Sequence, residues 1–504
     1  MDLTRRSMLG SVALAASAMA APPAFELEEA TIADLQKRMQ DGSLTAHALT
    51  ERYLQRIDAL DKRGPALNAV IELNPDALAI AKALDAERQA KGPRGPLHGV
   101  PVLIKDNIDT ADRMLTTAGS LALLGSIAAR DSGVAERLRA AGAVLLGKTN
   151  LSEWANYRSS HATSGWSGRG GLTRNPYGLD RNACGSSSGS GAAVAANFCA
   201  VAIGTETDGS IVCPSSVNGV VGIKPTLGLI PANGIIPIAH SQDTAGPMAR
   251  TVTDAAILLG ALSGNNYTAA LDANGLRGAR IGVARDKFFG FQEDTDRLIQ
   301  AAIDEMKRRG AEIVDPADIP TMGKFDDSEG DVLSYEFKND LNLYLGALGP
   351  KAPVHSLAEV IAFNEAHRAQ EMPYFGQDIM IKAQAKGPLS SKEYLDALEK
   401  DHRLARTEGI DAVMDRHRLD ALVAPTAGPA WCTDLINGDH APGGSSTPAA
   451  VAGYPNINVP AGFVSGLPIG ISFFGRARSE AVLIKLAYAF EQATRFRRPP
   501  QWRA

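Results

Sequence analysis

Three widely separated residues, Lys105, Ser186 and Ser210, have the types needed for acyl transfer to a serine without a histidine. Lys105 ends an apolar run that begins at Gly99, and both serines lie in stretches rich in glycine and serine. A serine hydroxyl is a weak nucleophile at neutral pH and needs a base in contact with it. A lysine at the end of a buried strand can be that base, because burial disfavours its charged form and lowers its pKa.

Each of these residues also has an ordinary structural explanation. Ser210 could be a plain turn serine, and Lys105 could end a strand and face solvent. A histidine could be the base instead, but His98, His161 and His240 lie in no recognisable triad setting. We expect these histidines to be satisfied surface or core residues, which leaves Lys105 as the preferred candidate for the base.

The first glycine- and serine-rich stretch matches a known nucleophile motif only in part. Residues 185–189 fit the pattern G-x-S-x-G, in which Ser187 would be a nucleophile on a sharp turn directly after a strand. The preceding residues 173–183 are polar, and we expect no strand there, so we reject this interpretation. The stretch instead predicts a loop that leads into a helix over residues 191–199 and presents hydroxyl and N–H groups at the helix N-terminus.

The turn that leads into Ser210 has the composition of an oxyanion-binding loop. Thr207, Asp208 and Gly209 follow an apolar run that predicts a strand over residues 200–204. Successive backbone N–H groups in such a turn can converge on a developing negative charge, and one well-aimed donor contributes about 2.7–4 kcal/mol in acyl transfer. Gly209 would let the backbone approach a substrate closely.

The elements that must position these residues alternate between strand and helix. Apolar runs predict strands over residues 100–104, 143–146, 200–204 and 220–223, and helix-like stretches cover residues 133–141 and 191–199. This alternation predicts an α/β fold with a largely central sheet. We expect one large domain over residues 21–504. Its parts are an N-terminal helical layer (21–95), a core (96–275), a charged helical insertion (276–420) and a return to the core sheet (421–495).

The first twenty residues predict an export signal. Arg5 and Arg6 form a twin-arginine signature, an apolar run covers residues 8–19, and Ala18-Met19-Ala20 offers a small-residue cleavage site. The apolar run is shorter than the roughly 20 residues of a spanning helix, so a stable membrane anchor is not expected. The predicted location is the periplasm or the medium.

Charge and cysteine content limit the possible partners. The formal net charge of the 504-residue chain is -5 with no basic run, so no nucleic-acid partner is expected. No pair among Cys184, Cys199, Cys213 and Cys432 has metal-ligand spacing, and neither a metal nor an organic cofactor is implied. We expect the cysteines to be small buried apolar side chains rather than disulfide partners, although export would permit a disulfide.

Taken together, these segments resemble the amidase signature family. The two glycine- and serine-rich stretches, Cys184–Ser190 and Gly204–Ser210, place Ser186 and Ser210 24 positions apart, as in that family. The upstream Gly99–Asp106 matches its lysine-containing element. Further matching segments are Gly147–Asn150, Gly219–Thr226 and Asp243–Arg250. The resemblance implies a mixed central sheet covered by helices on both faces, with a helical insertion.

The resemblance also implies a role for each site residue. Ser210 becomes the nucleophile, and Ser186, held by a cis peptide bond, becomes a bridge to the base Lys105. Ser187 would hydrogen-bond to Lys105 and orient it. The oxyanion hole would consist of the backbone N–H groups of Thr207, Asp208, Gly209 and Ser210.

Several positions depart from the commonest family pattern. These are Cys184, Ser188, Glu206, Asp208 and Val212, of which Val212 stands in place of a frequent arginine. The usual support of the loop by an acidic residue and an arginine is therefore in question. With Ser152–Asn156 and Gly165–Ser167, these departures resemble bacterial peptide amidases.

The leading hypothesis is an exported amidase that releases ammonia from the C-terminal amide of peptides. Hydrolysis of aryl or other small amides is the alternative within the same chemistry. A third hypothesis is the glutaminase component of a tRNA-dependent amidotransferase, and the export signal argues against it. A fourth hypothesis is an inactive binding protein with the same fold. Trp154, Tyr157 and Trp166 could line the substrate pocket, although buried packing is the expected role of each.

Overall fold

The computed structural model describes residues 27–502, and the predicted export signal over residues 1–20 lies outside them. The described chain is built around one mixed sheet of eleven strands, in the order β1-β3-β2-β8-β10-β9-β14-β15-β13-β11-β12. Two further two-stranded sheets pair β4 with β5 and β6 with β7. The strands are β1 (Val70–Leu73), β2 (Pro101–Lys105), β3 (Val144–Thr149), β4 (Trp166–Ser167), β5 (Gly171–Leu172), β6 (Arg174–Asn175), β7 (Gly178–Asn182), β8 (Val201–Glu206), β9 (Val221–Lys224), β10 (Thr244–Ala249), β11 (Arg280–Val283), β12 (Glu312–Val314), β13 (Ala421–Pro425), β14 (Asn456–Val464) and β15 (Leu467–Phe474).

Helices flank this sheet, and a helical segment follows β12. The helices are α1 (Ile32–Gln40), α2 (Ala46–Ile57), α3 (Ala77–Lys91), α4 (Gly133–Ala140), α5 (Ser188–Ala195), α6 (Val212–Val217), α7 (Val252–Ser263), α8 (Glu293–Arg308), α9 (Asp326–Ala347), α10 (Leu357–Ala366), α11 (Arg368–Glu371), α12 (Asp378–Gln384), α13 (Lys392–His402), α14 (Asp411–His417), α15 (Thr447–Ala452) and α16 (Glu480–Thr494). Among residues 27–502, none of them is both long and apolar enough to cross a membrane.

The part of the sheet that carries the site is parallel and fully buried. β2 lies between β3 and β8 and runs parallel to both. Every residue of these three strands is buried, which requires helices on both faces of the sheet. α5, also buried at every position, packs against all three. The predicted α/β fold with a mixed central sheet is confirmed.

The register of this parallel region brings the ends of β2 and β8 together. Ile104 of β2 pairs with Ile203 of β8. Parallel strands end at the same edge of a sheet, so Lys105 comes next to the residues that follow Ile203. This edge is where α/β folds place their ligand sites.

Two expectations about secondary structure need correction. The segment 276–420, expected to be helical apart from one strand signal over Ala279–Ala284, supplies two strands to the central sheet, because β12 pairs in parallel with β11. The segment 173–183, expected to contain no strand, includes β7, which folds back on β6. β7 belongs to this small hairpin and not to the central sheet, so a nucleophile elbow is still absent.

Candidate active site

Lys105 is the innermost of the predicted site residues. It ends β2 with no exposed surface, and its Nζ lies 2.7 Å from Ser186 Oγ. The same nitrogen donates to Thr205 Oγ1 at 2.8 Å and to the Thr205 carbonyl oxygen at 3.2 Å. Three oxygens therefore surround the amine, one from the first serine loop and two from the end of β8.

Burial sets the charge state of this amine. Desolvation lowers the pKa of Lys105 from 10.5 to about 7, while the negative charges of Asp243 and Glu206 oppose that shift. Near neutral pH a large fraction of Lys105 is then uncharged and has a lone pair available for a proton. This is the property that a general base requires.

The loop that carries Ser186 is held tightly by its neighbours. The Gly185–Ser186 peptide bond is cis, and the Ser186 carbonyl accepts the N–H of Ser152 at 3.1 Å. A Cβ added to Gly185 would lie 2.2 Å from Ser152 Oγ, so any larger residue here would have to displace the Ser152 hydroxyl. The helix that follows, α5, begins three residues earlier than the predicted 191–199 and starts directly after this loop.

Ser210 lies in a separate loop that meets the first. Its carbonyl oxygen accepts the N–H of Ser187 at 3.2 Å, and Gly209 has a φ of 76° that favours glycine. Ser210 keeps 7% of its surface exposed, whereas Ser186 and Lys105 have none. Ser210 is therefore the most accessible of the three.

The backbone before Ser210 has free donors. Within the described residues, the N–H groups of Asp208, Gly209 and Ser210 have no hydrogen-bond acceptor. Glu206 accepts the next two N–H groups in the chain, those of Ile211 at 2.7 Å and Val212 at 3.0 Å. The Glu206 carboxylate thus holds the loop at Ile211 and Val212, and the N–H groups of the preceding residues are left for a ligand.

Ser187 does not form the expected hydrogen bond with Lys105. Its hydroxyl donates to the Thr205 carbonyl oxygen at 3.1 Å and accepts the Thr205 N–H at 3.2 Å. Ser187 therefore anchors β8, and Thr205 is the residue that binds the lysine amine. The sequence does contain a signal for Thr205, since a hydroxyl residue directly follows the strand predicted over residues 200–204, but choosing it requires the register of β2 against β8.

A disulfide connects the two serine loops. Cys184 and Cys213 are bonded, which corrects the expectation that both are free buried thiols. Cys199 and Cys432 are free. The partners are 29 positions apart, and they meet only because the loops on either side of α5 and β8 come together at one sheet edge. Nothing in their spacing alone identifies this pair.

The aromatic residues near the site pack against neighbouring side chains. Trp154 and Trp166 are buried, and Tyr157 packs edge-on against Phe337 with ring centroids 4.8 Å apart. Their expected role in packing is confirmed. The residue that reaches an open cavity here is Ala155.

One group among the described residues has the composition of a metal site. His240, Glu336 and Asp340 offer ligand atoms within 4.8 Å of one another. Each is already engaged, since His240 Nδ1 lies 2.8 Å from Asp340 Oδ2 and Glu336 accepts the N–H of Ser241 at 2.9 Å. These contacts tie α9 to the loop before β10, which gives the group a structural role.

Comparisons with known proteins identify the family of the chain. The family model described as Amidase matches residues 48–484. The chain belongs to the amidase family. The structure of the peptide amidase PAM in complex with the competitive inhibitor chymostatin is 52% identical, with a TM-score of 0.92, and the match covers 95% of this chain and 100% of that one.

Two sequence relatives extend the comparison. A probable amidase from Arabidopsis thaliana is 44% identical over 503 residues, covering 95% of this chain and 92% of the relative. One component of the glutamyl-tRNA(Gln) amidotransferase from Exiguobacterium sibiricum is 34% identical over 493 residues, covering 93% of this chain and 98% of the relative. The expected family is therefore confirmed, and this amidase is a hydrolase that acts on amide C–N bonds.

Proposed function

We propose that this amidase hydrolyses the C-terminal carboxamide of peptides and releases ammonia. The similarity to peptide amidase PAM, at 52% identity over 95% of the chain, is the observation that carries the substrate class. Sequence identity at this level, over the whole length and with a shared fold, favours a shared substrate class over the aryl or other small amides that are the alternative.

In the proposed mechanism, two serines and a lysine relay one proton. Neutral Lys105 takes the proton of Ser186, whose Oγ is already within hydrogen-bond distance of Lys105 Nζ. Ser186 in turn takes the proton of Ser210 as Ser210 Oγ attacks the amide carbonyl. The relay then runs backward, protonating the departing nitrogen and leaving an acyl-enzyme. Water attacks the acyl-enzyme by the same relay, and the acid product leaves.

The loop before Ser210 supplies the electrostatic part of this mechanism. We infer that the N–H groups of Thr207, Asp208, Gly209 and Ser210 bind the carbonyl oxygen as it becomes negative. The unoccupied donors of Asp208, Gly209 and Ser210 support this assignment. Each donor aimed at that oxygen contributes about 2.7–4 kcal/mol to stabilising the transition state.

A substrate panel with matched variants tests the proposal. Peptide amides, free amino acid amides and anilides are assayed side by side for ammonia or amine release, and peptide amides are expected to give the highest kcat/KM. Ser210→Ala is expected to abolish hydrolysis of all three classes, whereas Ser160→Ala, a change at an exposed serine, retains it. Full activity of a folded Ser210→Ala variant, or a preference for anilides, contradicts the proposal.

We also propose that the protein is exported by its twin-arginine signal. Arg5 and Arg6, followed by the apolar run and the small-residue site, support this location. Cell fractionation of the native host is expected to recover activity outside the cytoplasm, and replacing Arg5 and Arg6 together by lysines is expected to retain it inside. Export of the double-lysine variant at the normal level contradicts the proposal.

A further inference from the structure

The residues just before β10 lie against the oxyanion loop (Thr207–Ser210). β10 runs antiparallel to β8 with Thr244 opposite Glu206, so the residue before Thr244 comes next to Thr207. That residue is Asp243, the first of a segment that matches the family but has no role in the proposed mechanism. The contacts of Asp243, and of the residue before it, indicate what this role is.

The carboxylate of Asp243 divides its two oxygens between a turn and Thr207. Oδ2 accepts the N–H groups of Ile238 at 2.7 Å and Ala239 at 2.9 Å, and the Asp243 N–H donates to the Ala239 carbonyl oxygen at 2.8 Å. Oδ1 accepts the Thr207 hydroxyl at 2.5 Å. One carboxylate oxygen therefore closes the turn before β10, and the other holds the side chain of Thr207.

Gln242 holds the backbone of the same threonine. Gln242 is 2% exposed, and its Nε2 donates to the Thr207 carbonyl oxygen at 3.3 Å and to Glu329 Oε1 at 3.0 Å. Glu329 lies on α9, so Gln242 connects the helical segment after β12 to the oxyanion loop. Thr207 is thus bound at its hydroxyl by Asp243 and at its carbonyl by Gln242.

The Thr207 carbonyl and the Asp208 N–H belong to one peptide plane. The cis peptide bonds of the described chain are at Gly185–Ser186 and Asp315–Pro316, so this peptide is trans. A trans peptide is planar and rigid, and its C=O and N–H point in opposite directions. The bond that holds the carbonyl toward Gln242 therefore also sets the direction of the Asp208 N–H, which has no acceptor among residues 27–502.

We propose that Gln242 and Asp243 are positioning residues that direct the Asp208 N–H at the oxygen that becomes negative during amide hydrolysis. Neither side chain touches the reacting atoms, because both act through Thr207. A donor that is fixed before the reaction needs no reorganisation when the charge develops, and this is why its orientation affects the rate. This role rests on the proposed oxyanion-binding function of the loop.

Steady-state kinetics of Asp243 variants test the proposal. Asp243→Ala removes the bond to Thr207, and kcat is expected to fall about 10- to 100-fold with KM changed less than about threefold, because oxyanion contacts strengthen in the transition state. Asp243→Asn is expected to recover most of the lost kcat. Its amide oxygen can accept the two turn N–H groups while its NH2 group donates to the Thr207 hydroxyl oxygen.

The buffer for these assays is mildly alkaline. Burial raises the pKa of Asp243 to about 6, so its carboxylate is ionised in the unmodified enzyme at this pH. Burial lowers the pKa of Lys105 to about 7, so most of the proposed base is already neutral. The loss of one negative charge in Asp243→Asn therefore has little effect on the base, and the comparison reports on the hydrogen bonds.

Asp85→Ala is the matched control. Asp85 also accepts two successive backbone N–H groups, those of Ala46 at 2.7 Å and His47 at 2.9 Å, but it joins α3 to α2 in the N-terminal helical layer. Its loss is expected to lower the unfolding temperature and to leave kcat unchanged. An equal fall of kcat in Asp85→Ala and Asp243→Ala would show general destabilisation and overturn the proposal.

A double-mutant cycle shows whether Asp243 acts through Thr207. Thr207→Val removes the hydroxyl that Asp243 binds, and the combination with Asp243→Ala is expected to lower kcat no further than Asp243→Ala alone. Gln242→Met keeps the length of the side chain but removes its donors, and kcat is expected to fall about tenfold. If Asp243→Ala does not fold in thermal unfolding measurements, Thr207→Val and Gln242→Met remain as tests.

Three results overturn the proposal: unchanged kcat in Gln242→Met and Thr207→Val, multiplicative losses in the cycle, or an equal loss in Asp243→Asn and Asp243→Ala. The substrate is the amide that the unmodified enzyme hydrolyses fastest, whatever its class. A wrong substrate class therefore leaves these comparisons intact, and a wrong nucleophile is detected separately by activity in Ser210→Ala.

Discussion

Replacing Thr205 by valine tests how the amine of Lys105 is held. The hydroxyl of Thr205 accepts hydrogen bonds from Lys105 Nζ at 2.8 Å and from Asn107 Nδ2 at 3.0 Å. Valine has nearly the same shape and the same preference for a strand, so β8 is expected to form normally. What the substitution removes is the acceptor between two buried donors.

The expected magnitude follows from those two bonds. Lys105 Nζ keeps two acceptors, Ser186 Oγ and the Thr205 carbonyl oxygen, whereas Asn107 Nδ2 is left unpaired. A buried donor left unpaired costs about 1–3 kcal/mol, and about 1.4 kcal/mol corresponds to a tenfold change in rate. We expect kcat/KM at the pH optimum to fall about 10- to 100-fold. The Thr205 hydroxyl accepts a hydrogen bond from the protonated amine and so favours it. Its removal is therefore expected to lower the pKa of Lys105 from the value of about 7 in the unmodified enzyme. Because neutral Lys105 is the proposed base, the rise of activity with pH then moves to lower pH.

The pH dependence of kcat/KM on a peptide amide is the measurement. In the unmodified enzyme, the acid limb is expected to have its midpoint near pH 7 and to rise with pH, since protonated Lys105 cannot accept a proton. Thr205→Ser retains the hydroxyl and is the control expected to resemble the unmodified enzyme. An unchanged acid limb in Thr205→Val, or an equal loss in Thr205→Ser, would refute the assignment of Thr205 as the residue that positions Lys105.

Three further outcomes test other parts of the site. Lys105→Met keeps an unbranched side chain of similar length in this fully buried position but removes the amine, so hydrolysis of peptide amides is expected to fall at least 100-fold at every pH; substantial activity at neutral pH would contradict a lysine base. Glu206→Ala is expected to lower kcat much more than Glu206→Gln, because the glutamine amide oxygen can still accept the two loop N–H groups. Equal kcat values for the two variants would contradict the supporting role of Glu206. Replacing Cys184 and Cys213 together by serine removes a disulfide between residues 29 positions apart, and the unfolding free energy is expected to fall by about 2–4 kcal/mol. Denaturant titrations measure this change. Cys432→Ser, at a free exposed cysteine, is the control and is expected to leave the unfolding free energy unchanged.

The sequence predicts those parts of the fold that depend on local pattern. The buried strands β2, β3, β8 and β9 are each predicted to within a few residues, because strands buried on both faces appear as continuous apolar runs. β12 is not predicted because it is only three residues long and lies near the sheet edge, with one exposed and two half-buried positions. β7 is not predicted because its polar side chains belong to a surface hairpin, which apolar periodicity does not reveal.

Contacts between loops are harder to predict than the elements that carry them. The hydrogen bond from Ser187 to Lys105, which the resemblance implies, is not formed, because the Ser187 hydroxyl bonds to the backbone of Thr205 instead. Which residue binds the lysine amine depends on the register of β2 against β8. That register places Thr205, two residues beyond Ile203, beside the amine. The sequence likewise does not show that the side-chain oxygen of Asn107 lacks a hydrogen-bond donor. Only the three-dimensional structure shows this.

The departures from the common family pattern become consistent once the two serine loops are seen together. Val212 cannot supply the charge of the usual arginine, but Glu206 binds the backbone N–H of Val212 and of Ile211 and so fixes the loop without a cation. Cys184, which replaces a glycine in the first loop, is bonded to Cys213 just beyond the second. The hydrogen bonds from two backbone N–H groups to Glu206 and the Cys184–Cys213 disulfide thus hold the segment between Glu206 and Cys213, which contains Ser210. Substituting arginine for Val212 alone would therefore bury an unneeded guanidinium in a fully enclosed position, and we expect it to destabilise this protein rather than restore the family pattern.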